Sequence, residues 1–488
     1  MILRAEQPTS IKELADLLDA KLVNLENDLL IKSACDSSSD VSENSIFIAV
    51  KGTSFDSHTV VSNAVDNGAI AALVADETYL NGLPGIVVEN TRLAKSKIAS
   101  ILTGAPEKKL KILGITGTNG KSSTCWITAN LLNFSGTKTL SIGTLGVKGP
   151  GVEKELALTT PDSFELHDLF RDALKQGIQT VVMESSAHAL TQYRVESVPY
   201  TGAVFSNLTH DHLDYFSDEN SYFNAKQHLF DLLASNGSAY INIDDRWGEL
   251  LFEKLDCKNK KSISTNKSAD LNFTILGADA TGTHIELKVK NQSIKFKSPL
   301  IAEHNAYNLI SSLALCTSIG LDLENLVEFL DDIPQIPGRL ELATESPSTF
   351  VDYAHTPDAL KHALVSLRKI SPNKLWVVFG CGGDRDAKKR PVMGKLASEL
   401  ADFVVITSDN PRSEKPLEII EQIKKGTTRE VLVEPDRADA IRYAIKNADA
   451  DDVILIAGKG HENYQIIGDK KNDFSDVNHA KQSFKEVR

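Results

Sequence analysis

Short apolar runs, each closed by glycine or a polar turn, recur along this chain. From "KILGIT" onward they alternate with amphipathic stretches: "TVVMES", "GAVFSNL" and "SAYINI" first, then "KLWVVFGCGG", "DFVVITSDN", "EVLVE" and "DVILIAGKG". Continuous apolar strands alternating with helical patterns predict parallel βαβ units, so the fold class is α/β. Upstream, "SIKELADLLDA" reads as a helix with Ser10 as N-cap, followed by short strands in "SIFIAV", "AALVA" and "GIVVEN". "HIELKVKNQSIKFKSPL" alternates with period two around Asn291-Gln292 and predicts a late hairpin. "TGAPEKKL" reads as a linker, and "DDIPQIPGRLE" as a boundary rich in proline and glycine. The expected division is residues 1–105, 106–335 and 336–488. No fixed-period repeat, low-complexity tract or heptad pattern interrupts it.

At 488 residues the chain exceeds what one core supports. Its net charge of −13 argues against a general nucleic-acid or anionic-membrane binder, because neither polyanion would be attracted overall. A small anionic ligand needs only a local cationic pocket and is not excluded. Five scattered cysteines with no CxxC pair fit reduced thiols rather than a disulfide scaffold or a zinc site. The N-terminal segment lacks an apolar signal core, and no run approaches the ~18 apolar residues of a membrane span. The expectation is a soluble, cytoplasmic, monomeric protein.

The strongest chemical signal is "GTNGKSS", Gly117 to Ser123, between the strand "KILGIT" and the helix pattern "STCWITANLL". Glycines let backbone N–H groups turn toward an anion. A helix N-terminus adds partial positive charge, Lys121 a full one, and Ser122 a hydroxyl suited to Mg²⁺. The full Walker A spacing is not met: Ile115 stands where its first glycine would be, between Gly114 and Gly117. An ordinary glycine turn is the competing reading, and strand, loop, lysine and helix in register weigh against it. Further on, "TVVMESSAHAL" places Glu184 at a strand's C-terminal end, and "SNLTHDHLDYF" gathers His210, Asp211, His212 and Asp214 in one loop. Such strand ends are where open α/β sheets collect their sites. The two histidines taken alone would be surface residues, and Lys226 in "SYFNAKQHLF" would be a snorkelling lysine.

Together these motifs resemble the Mur ligases, ATP-dependent amide-forming synthetases, with matched segments from about residue 36 to 467. The resemblance implies a three-domain architecture: a unit for a UDP-muramoyl substrate, a central P-loop ATPase-like parallel sheet, and a Rossmann-like C-terminal ligase domain. It implies that Gly117, Thr118, Asn119, Gly120, Lys121, Ser122 and Ser123 cradle ATP. Asn305 in "EHNAYNLISS", Arg339 in "PGRLE", and Asp352 and His355 in "VDYAHTPDAL" would be further nucleotide contacts. By the same resemblance Ser122, Glu184, His212 and Lys226 hold Mg²⁺, with Lys226 carbamylated (N6-carboxylysine). Lys121, Lys226, Glu184 and His212 are then the catalytic set.

"LTTPDS", "ESSAHALTQYRV" and "CDSSSD" look like the tripeptide-forming branch, so Ser37, Thr159, Thr160, Ser186, Gln192 and Arg194 would bind UDP-N-acetylmuramoyl-L-alanyl-D-glutamate. "SDNPRSE" resembles the branch that selects meso-diaminopimelate. This implies an amino-acid pocket of Arg385, Asp409, Asn410, Pro411, Arg412, Gly458 and Glu462, in which Arg412 reads the carboxylate that lysine lacks. Three positions depart from the family pattern. Asp36-Ser37-Ser38 stands for Asp-Ser-Arg, Ala187 interrupts the usual Glu-Val-Ser-Ser-His, and Ser122 replaces a common threonine. The rivals are a lysine-adding ligase, a folylpolyglutamate synthase, and a nucleotide-binding regulatory protein without catalysis. The DNPR turn, the separate N-terminal unit and the intact Lys121, Glu184, His212 and Lys226 weigh against them in that order.

Overall fold

The computed structural model describes every residue except Thr53, Ser54, His210, His212, Leu213, Asp214 and Arg488. The chain forms two compact units. The first is Met1–Phe273 with Lys288–Gln292 and Asn308–Phe329; the second is Thr274–Leu287, Ser293–Tyr307 and Leu330–Arg488.

The first unit holds two sheets. The N-terminal sheet has six strands in the order Ile2–Ser10, Leu30–Cys35, Ser45–Ile48, Ala69–Val74, Gly85–Val87, Lys21–Val23. The inner four run parallel, and the two edge strands pair antiparallel. Ser10 caps the helix Ile11–Leu17 by accepting from the Lys12 and Glu13 amides. Phe164, from the helix Ser163–Lys175 of the central segment, is buried in this sheet's core, which couples the two parts of the unit.

The first eight of the eleven strands of the central sheet run Val152–Lys154, Gly146–Gly149, Thr139–Gly143, Thr180–Glu184, Lys111–Thr116, Tyr200–Phe205, Leu233–Asn242, Asn259–Ser264. From Thr139–Gly143 onward the pairs are parallel. Helices cover both faces, so Ile112, Leu113, Val181, Val182 and Val204 are sealed from solvent. Lys111–Thr116 lies between Thr180–Glu184 and Tyr200–Phe205, with Ile115 opposite Glu184 and Thr116 opposite Phe205. Three strand ends therefore converge where the glycine loop begins.

The second unit carries a sheet in the order Glu341–Glu345, Ser348–Asp352, Val453–Ala457, Leu375–Phe379, Phe403–Ile406, Leu432–Val433, parallel except for the first pair. The expected hairpin is present as Gly282–Val289 and Gln292–Ser298. Its turn falls one residue earlier than expected, on Lys290 and Asn291, because Lys290 rather than an asparagine takes the left-handed conformation at φ 53°. No helix among the described residues is long and apolar enough to cross a membrane.

Gly114, inside the central strand, leaves room for the Tyr200 ring: a methyl there would sit 2.6 Å from the ring and 3.0 Å from Leu229 Cδ1. Gly114→Ala is expected to cost about 1–3 kcal/mol by overpacking, read as a lower denaturant midpoint.

Candidate active site

The loop after Lys111–Thr116 turns at Gly117 (φ 146°) and Gly120 (φ 87°), and the helix Lys121–Phe134 starts there. Both glycines are required twice over, by their backbone angles and by space. A methyl on Gly117 would overlap Ser206 Oγ, and one on Gly120 would overlap Asn308 Oδ1. The segment after Tyr200–Phe205 braces the loop. The Thr118 amide donates to Asn207 O and the Asn119 amide to Asn207 Oδ1, both at 2.9 Å, and Ser206 Oγ donates to Asn119 O at 2.6 Å. The fourteen-residue helix points its positive end at this loop.

Two lysines meet here on one carbonyl. Gly117 O accepts from Lys121 Nζ at 2.9 Å and from Lys226 Nζ at 2.7 Å; Lys121 also donates to Thr118 O at 2.9 Å. Lys226 projects from the helix Glu219–Asp231, started by a capping box at Asp218 and Ser221. Its side chain is 1% exposed and lies over the Tyr222 ring at 4.2 Å. Burial first, and the neighbouring Lys121 charge second, push its ammonium well below the ordinary lysine range, against a smaller pull from Asp211.

Glu184, 1% exposed, ends the strand Thr180–Glu184 and fills the space that a side chain on Gly143 would need. Its Oε1 accepts from the Thr144 amide at 2.7 Å, and its Oε2 from Ser122 Oγ at 3.0 Å and Thr144 Oγ1 at 3.3 Å. A hydroxyl and a carboxylate side by side are hard oxygen donors and fit Mg²⁺. His212, with His210 and Asp214, lies outside the described residues. Among the described residues no group of three His, Cys, Asp or Glu is placed to hold a metal.

Four of the residues expected to bind the nucleotide-peptide join one network at this strand end. Thr160 Oγ1 donates to Glu184 O at 2.7 Å and lies 3.2 Å from Ser186 Oγ. Arg194 Nη1 donates to Thr160 O at 2.9 Å, and its Nη2 to Gln192 Oε1 at 2.7 Å. Thr159 reaches Thr144 Oγ1 at 3.3 Å. Ser37 sits apart, in a turn with Ser39. Lys95, not foreseen, links the two regions: its buried Nζ contacts Asp36 and Asp162, each at 2.6 Å. A lysine among the buried positions of the helix Thr91–Leu102 is the signal that marks it.

In the second unit the expected nucleotide contacts cluster around Tyr353. The Arg339 guanidinium lies 4.7 Å from that ring, and the His355 ring also lies 4.7 Å from it, with Nδ1 2.9 Å from Tyr353 O. Asp352 accepts from the Leu340 and Ala354 amides at 2.8 Å, and burial pushes its carboxyl up. Asn305 is buried and donates to Ile301 O at 3.0 Å. His461, also unforeseen, packs its ring 5.3 Å from Tyr353; burial, then the Arg339 charge, push it down to about 4.

The expected amino-acid pocket forms a second cluster in this unit. Asn410 Nδ2 donates to Glu462 Oε2 at 2.8 Å, while Asn410 Oδ1 accepts from Lys459 Nζ at 3.0 Å and from the Ile466 amide at 2.9 Å. Gly458 abuts Asp409: a methyl there would stand 2.5 Å from Asp409 Oδ2. After Pro411 the chain turns at Arg412 (φ 51°), whose Nη1 donates to Gly383 O at 2.7 Å. Arg385 is near that guanidinium, since a methyl on Gly382 would lie 2.9 Å from Arg412 Nη1 and 3.8 Å from Arg385 Cγ. Buried Arg390 grips Glu414 with both terminal nitrogens, at 2.7 and 2.8 Å, and fixes the end of this turn.

A glycine loop feeding a helix from a parallel sheet, with two lysines from helices and a carboxylate from an adjoining strand end, defines a P-loop nucleotide-binding α/β protein. Residues 115–316 match the Mur ligase middle domain, and residues 338–460 the Mur ligase glutamate ligase domain. The chain is 41% identical to a Trichormus variabilis protein named UDP-N-acetylmuramoyl-L-alanyl-D-glutamate–2,6-diaminopimelate ligase, over 90% of this chain and 91% of that one. A Clostridium tetani protein of the same name is 35% identical over 98% and 99% of the two chains. A solved structure carrying that name superposes with a TM-score of 0.74 at 30% identity, covering 98% and 99%. A Thermotoga maritima MurF ligase solved with ADP, 19% identical with a TM-score of 0.60 over 93% and 97%, shares the fold. The chain belongs to the Mur ligase family, and it is an ATP-dependent ligase.

Glu414 yields a pH prediction. The Arg390 hydrogen bonds hold its carboxyl down at about 2, below the ordinary 4.5. A depressed carboxylate stabilises the fold above its unfolded value, and that stabilisation is lost as pH falls toward 2. Glu414→Gln is therefore expected to flatten the decline of Tm between pH 4.5 and 2, measured by thermal unfolding across that range.

Proposed function

We propose that this chain joins meso-diaminopimelate to the D-glutamyl side-chain carboxylate of UDP-N-acetylmuramoyl-L-alanyl-D-glutamate, a step in making the peptidoglycan precursor. The observation that carries the reading is that one chain holds both a phosphate loop, in its first unit, and a DNPR turn whose arginine is anchored on Gly383 O, in its second. The names of relatives matched over nine-tenths of the chain point the same way.

The reaction follows from charge. A carboxylate is a poor electrophile because its leaving group would be oxide. The γ-phosphoryl of ATP passes to that carboxylate, the bond to the β-phosphate breaks, and ADP and an acyl phosphate result. The amine of diaminopimelate, having lost its proton, attacks the acyl carbon, and inorganic phosphate leaves as the amide forms. Lys121 and the helix N-terminus offset the repulsion between the anionic acid and the anionic phosphate. Ser122, Glu184, His212 and Lys226 as its carbamate would hold Mg²⁺. That ion, when bound, supplies positive charge to the phosphoryl oxygens. Thr159, Thr160, Ser186, Gln192 and Arg194 would orient the peptide acid, and Ser37 would serve the uridine side. Asn305, Arg339, Asp352 and His355 would contact the nucleotide. Arg385 and Arg412 would pair with the amino acid's carboxylates, and Asp409 and Glu462 with its ammonium groups.

Carbamylation of Lys226 has a physical basis. Only a neutral amine attacks carbon dioxide, and burial beside Lys121 favours the neutral form. Protein equilibrated with ¹³C-bicarbonate should show a carbamate carbon by NMR that Lys226→Ala lacks, and that variant should lose about 10²-fold or more in kcat. The amino-acid choice is tested by competition. With ATP and the UDP-muramoyl dipeptide, the purified protein should consume meso-diaminopimelate in preference to L-lysine. Arg412→Ala should cut kcat/KM for diaminopimelate by about 10²-fold and narrow that preference. Equal use of lysine by the unaltered enzyme would refute the assignment.

A further inference from the structure

The buried ion pair behind the amino-acid pocket has no part in the chemistry above. Arg437, the first residue of the helix Arg437–Asn447, is 2% exposed, and Asp476, on the C-terminal helix Asp476–Val487, is fully buried. Arg437 Nε and Nη2 bind the two Asp476 carboxylate oxygens at 2.7 and 2.8 Å. The remaining donors go forward, Nη1 to Ser408 O at 3.2 Å and Nη2 to Ala457 O at 3.0 Å.

Those two carbonyls are not arbitrary. Ser408 immediately precedes Asp409, and Ala457 immediately precedes Gly458. The segments leave the strands Phe403–Ile406 and Val453–Ala457, which are not neighbours: Leu375–Phe379 lies between them. Strand order reverses here, which opens a crevice at the carboxyl ends of an α/β sheet. One guanidinium thus spans the crevice base and ties its two walls together. Gly380, at the end of the middle strand, admits this closeness because a methyl there would overlap Thr407 O.

We propose that Arg437 is a positioning residue for the incoming amino acid, setting the separation of the segments that begin at Asp409 and Gly458. It does so through two carbonyl hydrogen bonds that lysine, with a single nitrogen, cannot reproduce together with the grip on Asp476. Against the cost of its burial, Asp476 first and Asp409 and Glu462 after it hold the guanidinium in its charged form. The proposal rests on the reading of this cluster as the amino-acid pocket.

The test uses the full-length enzyme and two variants. Arg437→Met combined with Asp476→Leu removes the clamp without leaving a buried charge, a replacement that folded proteins commonly tolerate. Arg437→Lys keeps the charge. The KM is measured for whichever amino acid the unaltered enzyme ligates, so a wrong choice of diaminopimelate appears in the unaltered enzyme and not in the variants. Expected is a rise of about tenfold or more in the amino-acid KM for the double variant, and a smaller rise for Arg437→Lys. The KM values for ATP and the nucleotide-peptide should stay within about twofold. An unchanged amino-acid KM, or a parallel rise in all three, overturns the proposal. Should the double variant fail to fold, Arg437→Lys decides it on the same readout.

Discussion

The candidate site depends on one carbonyl oxygen that accepts two amines. Gly117 O faces both Lys121 and Lys226, and Lys226 is buried, its side chain 1% exposed. Two ammonium groups held so close in a dry setting repel strongly, and burying either costs several kcal/mol. The strain is relieved at the more buried group, which is held well below its ordinary range. Lys121, part-exposed at the helix start, is the proposed phosphate partner. If Lys226 becomes a carbamate, its charge changes sign and the same proximity turns from repulsion to attraction. The geometry that makes the amine reactive would then stabilise its product. Gly117 makes this possible, since its backbone angle is one that side-chain-bearing residues rarely adopt.

Both units place a carboxylate by the same device. In the first, Glu184 occupies the volume a side chain at Gly143 would fill, at the end of the neighbouring strand. In the second, Asp409 stands against Gly458 in the same manner. A missing side chain on one strand end lets an acid from another approach the backbone and fixes its rotamer by packing rather than by hydrogen bonds alone. Strand ends suit this because they are rigid on one side and open on the other.

Much of this was legible in sequence because it is local. The glycine loop, its lysine and its helix lie within a few residues of one another, as do Ser10 and the helix it caps. Glu184 was readable from the apolar strand preceding it. Lys95, His461 and Arg437 were not readable. Each gains its meaning from partners far away in the chain: Lys95 from Asp36 and Asp162, His461 from Tyr353, Arg437 from Ser408, Ala457 and Asp476. The hairpin turn was displaced for a related reason. Period-two alternation centred the turn on Asn291-Gln292, whereas the strands end at Val289 and resume at Gln292, with Lys290 in the left-handed conformation. The N-terminal and central segments read as separate from the linker-like "TGAPEKKL"; contacts through Phe164 and Lys95 join them within the first compact unit.

A chain of net charge −13 that handles polyanions appears contradictory until range is considered. Surface charges act through water over a screening length of about 8 Å in physiological salt. Groups inside a site act at hydrogen-bond distance and are screened far less. Here the most deeply buried cations, Arg390, Arg437 and Lys459, are each committed to a named carbonyl, amide or carboxylate oxygen, so they shape the pockets instead of radiating a general field. The proposed attraction for the phosphates of ATP is local to the glycine loop and the helix that follows it. The net negative charge of the chain disfavours anions in general. A polyanion unable to enter the loop gains nothing, and one that fits meets concentrated positive charge. That arrangement makes binding a test of shape, which a uniformly basic surface of the same pocket geometry would not do.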